Sequence, residues 1–243
     1  PEAGNHDIEI TGGTWSGNNI NNPRGEKLVD PGKYGGVMIN FRNVSKLSIS
    51  DCMLCDAQSY YLRLTRVSNF IVEHIRFHAQ HPCNNNDGVH LAGHCHHGII
   101  RHLRGLGRCT PNDDMVAMNA DDALDRVECF GGECGPITNI HVSDIVADQC
   151  HTFVRMLSVV SPIENIDIDH IRGGCDIAVL NMDGARGCRV PVFDEKDPRF
   201  ARGVGQVRKV RVSDVIVHKA SATGTALINA QQIADELEIR SFT

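Results

Sequence analysis

The chain has 243 residues, a formal net charge of −6 and 41% hydrophobic residues, enough apolar material for one sizeable core. No apolar run approaches the roughly 18 to 20 residues of a membrane span. The mild acidity, without a clustered Lys/Arg surface, argues against a nucleic-acid partner.

A single domain over residues 1–243 is expected. The chain opens at Pro1 without Met or a charged-then-apolar leader, so a trimmed or incomplete chain is expected and the oligomeric state stays open. Ten cysteines at uneven spacings read as reduced thiols rather than disulfides, which favours a cytoplasmic over a secreted setting. Cys52, Cys129, Cys150 and Cys175 fall near apolar positions and are expected in the core.

In chain order, short alternations of apolar and polar residues recur. They run through Asn43–Cys52, Asn69–Ile75, Asn139–Ile145, Asn165–Ile171, Val210–Val215 and Leu237–Ile239. Equating Ile49, Val72, Val142, Ile168, Val212 and Ile239 gives steps of 23, 70, 26, 44 and 27 residues. A coil of about 25 residues with insertions explains the series. The strand-like alternation, without a sustained 3.6-residue period, excludes a helix bundle. It predicts an all-β, right-handed parallel β-helix whose apolar residues stack inward from coil to coil. Asn at the strand starts suits turns, because it tolerates left-handed dihedrals.

A second strand set predicts another face: residues 36–39, 61–64, 88–91, 115–118, 153–156 and 177–180. Segments 119–136 and 183–206 interrupt the repeat and are expected to project as loops that carry binding residues, among Asp121, Asp122, Glu128, Glu133, Asp183, Arg186 and Arg189. Two strands of the second face begin alike, Asn86-Asp87-Gly88-Val89-His90-Leu91 and Asp113-Asp114-Met115-Val116-Ala117-Met118. Asp87 and Asp114 are 27 residues apart, one coil, so the fold gathers Asp87, Asp113 and Asp114. Clustered carboxylates push their pKa values apart, which lets an acid and a base coexist near neutrality. Arg63, His90 and Arg155 share the outward parity of this face and are candidates for sugar contacts, and Tyr60 or Tyr61 for stacking on a sugar ring.

Residues 59–119, with Asn85-Asn86-Asp87-Gly88 and Asn112-Asp113-Asp114, resemble the polygalacturonase-like glycoside hydrolases, family 28 of the carbohydrate-enzyme classification. A weaker likeness extends over residues 5–185. That family combines a right-handed parallel β-helix with Asn-Thr-Asp, Gly-Asp-Asp, Gly-His-Gly and Arg-Ile-Lys elements. The resemblance implies a carbohydrate substrate, with Asp113 as general acid and Asp87 and Asp114 as the pair activating water for inversion. Asn85-Asn86-Asp87 and Asn112-Asp113-Asp114 keep the carboxylates. No Gly-His-Gly exists, its nearest counterpart being Gly132-Glu133-Cys134-Gly135, and Arg-Ile-Lys is reduced to Arg155-Met156-Leu157. The missing Lys weakens the case for galacturonate itself.

Bland readings stand beside these. Asp beside Asn or Gly is common turn chemistry, and Arg155 fits a solvated surface position as well as a substrate clamp. His94-Cys95-His96-His97 reads as a polar turn, since successive strand residues point to opposite faces; no metal or other cofactor is expected. A polysaccharide lyase using Ca²⁺, or a non-catalytic carbohydrate-binding or structural β-helix, remain the alternatives to a hydrolase.

Overall fold

The computed structural model describes residues 4–24, 34–121, 133–184 and 196–243. The strands are β1 (Asn5–Thr11), β2 (Thr14–Ser16), β3 (Ile39–Ser50), β4 (Met53–Cys55), β5 (Leu62–Glu73), β6 (Arg76–His78), β7 (Val89–Ala92), β8 (His96–Leu106), β9 (Asp114–Asn119), β10 (Ile137–Leu157), β11 (Ile163–Met182), β12 (Val207–Lys219), β13 (Ile228–Ala230) and β14 (Ala234–Phe242). All their pairings are parallel, each strand bonding those of neighbouring coils. The chain is a right-handed parallel β-helix. Among the described residues no helix is long and apolar enough to cross a membrane.

The inward column on one face is Ile10, Ile49, Val72, Ile100, Val142, Ile168, Val212 and Ile239, each the register partner of the next. All six positions equated from the sequence lie in it. Ile100 divides the 70-residue step, in a coil that the pattern hid because Gly98 replaces an apolar residue. A Cβ there would stand 2.1 Å from Phe70 Cζ, so the Phe70 ring fills the space and Gly98 makes room for it. Cys52, Cys95, Cys150 and Cys175 pack in this core as buried thiols, while Cys129 lies outside the described residues.

A second column explains the recurrent Asn. Asp7, Lys46, Asn69, His97, Asn139, Asn165, Lys209 and Glu236 occupy one corner position and all have φ between 47° and 65°. An L-residue with a Cβ costs about 1–2 kcal/mol in that region, least for Asn and Asp. Asn165 Nδ2 also donates to Asn139 Oδ1 at 3.2 Å, so two neighbouring coils are tied side chain to side chain. Asn43 is left-handed too but stands at a different corner, since Lys46 is the partner position of Asn69.

On the second face Ile39, Leu62, Val89, Val116, Val154, Leu180 and Ile228 form the inward column. Leu180 therefore matches Val154 rather than Met156, two residues away from the segment-by-segment reading. Register irregularities between Ala147, Cys150 and Thr152 absorb the difference. Of the two interruptions, Asp122, Glu128, Arg186 and Arg189 lie outside the described residues.

Lys209 holds a left-handed dihedral and makes only an exposed ion pair with Glu164 at 3.1 Å, an interaction worth at most about 1 kcal/mol. Lys209→Asn is expected to stabilise the fold by about 0.5–1 kcal/mol, a rise of roughly 1–4 °C in Tm. Thermal unfolding followed by circular dichroism checks this, and a lower Tm would contradict the corner-strain account.

Candidate active site

The site is built where the second face begins. Tyr61 N–H donates to the Asp87 carbonyl at 2.8 Å, and Gly88 N–H to the Asp114 carbonyl at 2.9 Å. These bonds lock three successive coils in register and set Asp87 and Asp114 about 4.8 Å apart, one strand spacing. Further along, Arg63, His90, Ala117 and Arg155 are successive register partners, so the shared parity of the three polar residues is seen in the fold.

Each residue of the Asn85-Asn86-Asp87 run has a distinct task. Asn86 is buried and its Nδ2 donates to the carbonyls of Ala57 at 3.0 Å and Ser59 at 2.6 Å, pinning the run to the preceding coil. Asn85, left-handed at φ 59°, reaches Asp113 Oδ2 at 3.4 Å. Asp87 Oδ2 lies 2.6 Å from His90 Nδ1, both groups buried, and the His90 ring stacks on Tyr60 with centroids 4.1 Å apart. His90 is thus committed to Asp87 and closed from solvent, contrary to the expected open sugar contact. Arg63 is likewise only 1% exposed, its guanidinium carbon 6.0 Å from the centre of the Tyr60 ring.

Tyr61 is not on this surface. Its ring packs in the core against Phe77, its hydroxyl donates to the His78 carbonyl at 3.0 Å, and burial pushes that hydroxyl's pKa upward. Strand alternation fails locally because Tyr61 and Leu62 both point inward at the corner where the strand begins. A sugar-stacking role is therefore excluded for Tyr61 in this arrangement.

Asp113 is the accessible member of the carboxylate cluster, 22% exposed at its side chain, against 2–3% for Asp114 and Asp87. His151 Nδ1 stands 3.6 Å from Asp113 Oδ1. His151 was not singled out from sequence, yet the register holds the clue: Thr152 pairs with Asp114, which puts His151 beside Asp113 one coil on. Asp114 is fully enclosed, and burial, then the charges of Asp113 and Asp87, drive its pKa well above the carboxylate range, while Arg155 opposes the rise. The cluster is set to retain a proton at a pH where an ordinary Asp has lost it.

Arg155 is engaged by carboxylates on two sides. Its Nε donates to Asp183 Oδ1 at 2.8 Å and its Nη2 to Asp183 Oδ2 at 3.3 Å, while Nη1 is 4.0 Å from Asp114 Oδ2. Asp183, expected in a loop, thus belongs to the site. Two other loop candidates serve the scaffold. Asp121 Oδ2 accepts from the N–H groups of Val159, Val160 and Ser161 at 2.6–2.8 Å, and Glu133 bridges Arg42 and Arg66, whose hydrogen bonds hold its pKa down, Arg66 foremost. A groove of about 650 Å³ lined by Asn165, Asp167, Lys209 and Arg211 lies on the other face, away from the carboxylate cluster.

The donor atoms of Asp113, Asp114 and His151 lie within 4.8 Å of one another, close enough to share a cation. His96 and His97 instead meet each other, Nδ1 to Nδ1 at 2.8 Å.

No protein-family model matches the chain, and no curated protein matches it. Among solved structures it is similar to the endo-xylogalacturonan hydrolase from Aspergillus tubingensis, at 10% identity and a TM-score of 0.54, over 98% of this chain and 72% of that one. The shared feature is the fold.

A carboxyl whose folded pKa stands above its unfolded value stabilises the fold most at low pH, and that contribution is lost as pH rises through the folded pKa. Asp114→Asn removes the ionisation. Its Tm relative to the native chain is expected to climb between about pH 4 and pH 8, gaining about 2–4 °C at the upper end. Scanning calorimetry across that range checks the sign, and a variant that loses ground with rising pH would contradict it.

Proposed function

We propose that the chain is a glycoside hydrolase acting on a plant or microbial poly- or oligosaccharide of pectin type, containing galacturonate or rhamnose. The observation that carries the reading is the gathering of Asp87, Asp113 and Asp114 from successive coils, one half-buried and two buried, around a carboxyl whose burial favours its protonated form. Glycosidic cleavage requires a protonated carboxyl at the leaving oxygen and an ionised one toward the anomeric carbon.

In this reading Asp113 delivers the proton to the leaving oxygen, because it alone of the three is accessible and Asp114, where burial holds a proton, stands beside it. Asp87, held by His90, is the ionised carboxylate that acts on water, and Asp114, its partner in the family resemblance, joins it once its proton has passed to Asp113. His151 positions Asp113 from the next coil. The configuration of the first product decides between inversion and retention.

Asp113→Asn is expected to lower kcat by about 10³-fold or more while leaving Tm within about 2 °C of the native value. New reducing ends released from pectic and neutral oligosaccharides, without ultraviolet absorbance and unaffected by chelator, support hydrolysis. Absorbing, calcium-dependent product supports a lyase, and binding without release supports a non-catalytic module. Proton NMR of the nascent anomer reads the stereochemistry.

A further inference from the structure

We infer that the sugar residue seated at the carboxylate cluster is uncharged, a neutral hexose, pentose or deoxyhexose unit and not a uronate. The inference deepens the hydrolase reading and rests on it for the place of the scissile bond. Arg155 is the cation closest to the acid cluster along its strand, and its charge is already taken. Asp183 grips it through two hydrogen bonds at 2.8 and 3.3 Å, and Asp114 stands on its other side. A sugar carboxylate that took the guanidinium would displace Asp183, whose side chain is 5% exposed, and leave that charge buried without its ion pair.

The pairing of charges points the same way: among the described residues Arg155 already faces Asp183, His90 faces Asp87 and His151 faces Asp113, so each of these groups is engaged by a carboxylate of the chain itself. A further anion meets like charge there, and like charge at a closed interface discriminates strongly. Arg63, closed beneath Tyr60, is not placed to offset it.

The test uses pectic oligosaccharides and their carboxyl-reduced counterparts, identical in linkage, with each galacturonate converted to galactose, together with rhamnose-containing and other neutral oligosaccharides. Cleavage by the native chain is measured as kcat/KM, and binding to the Asp113→Asn variant by calorimetry. Neutral members are expected to exceed their uronate counterparts by at least about ten-fold in both. Asp183→Asn, which releases Arg155, is expected to narrow that gap to within about three-fold. A uronate member cleaved or bound as well as its reduced counterpart overturns the inference, as does a panel in which nothing binds. Preferential binding of neutral members without cleavage by the native chain upholds the subsite and removes the hydrolase reading instead.

Discussion

The hydrogen bond from Gly88 N–H to the Asp114 carbonyl is the constraint on which the site depends, together with its neighbour from Tyr61 N–H to Asp87. Side chains alternate across a strand, so a slip of one residue would turn Val89 or Val116 to solvent and carry His90 into the core in its place. The inward column of Leu62, Val89, Val116 and Val154 forbids that slip by burial alone. Asn86 adds a second lock through the Ala57 and Ser59 carbonyls. The carboxylate geometry is thus a by-product of how coils stack, and the scaffold needs no loop to bring distant carboxylates together.

Stacking carboxylates has an energetic consequence. Enclosing Asp114 beside Asp113 and Asp87 disfavours its charged form, and Arg155 relieves the strain only in part because Asp183 competes for the same guanidinium. The fold tolerates this because the remaining coils are regular: a continuous apolar interior and corner residues that repeat from coil to coil. Strain concentrated at one end of one face, on a scaffold otherwise consistent, is the pattern expected of a site with a chemical task.

The fold was legible because period-2 alternation and a coil length near 25 residues are both direct consequences of stacking strands. The six equated inward positions proved to be register partners. What escaped notice did so for local reasons. The coil containing Ile100 was masked by Gly98, whose missing side chain is supplied by Phe70 from the neighbouring coil. Tyr61 was misplaced because a corner puts two successive residues inward, which parity counting does not allow. The Asp triad was legible from one repeated phrase, whereas His151 carries no local signal and Asp183 stood unranked among the loop candidates: each gains its meaning from a partner about one coil away, Asp113 for the first and Arg155 for the second.

Such partnerships also explain how the fold is shared with a hydrolase at 10% identity. A β-helix asks only for an apolar residue at each inward position and a permissive residue at each left-handed corner, so outward columns drift without penalty to the scaffold. Change on an outward column is then constrained by its neighbours above and below. Asp183 pairs with Arg155 across one coil step, so any replacement of Arg155 takes the ion pair from an enclosed carboxylate, and any replacement of Asp183 takes two hydrogen bonds from the guanidinium. The two residues are coupled as a unit, and in the proposed hydrolase it is this unit, more than the Asp triad it borders, that sets which charge a bound sugar can carry.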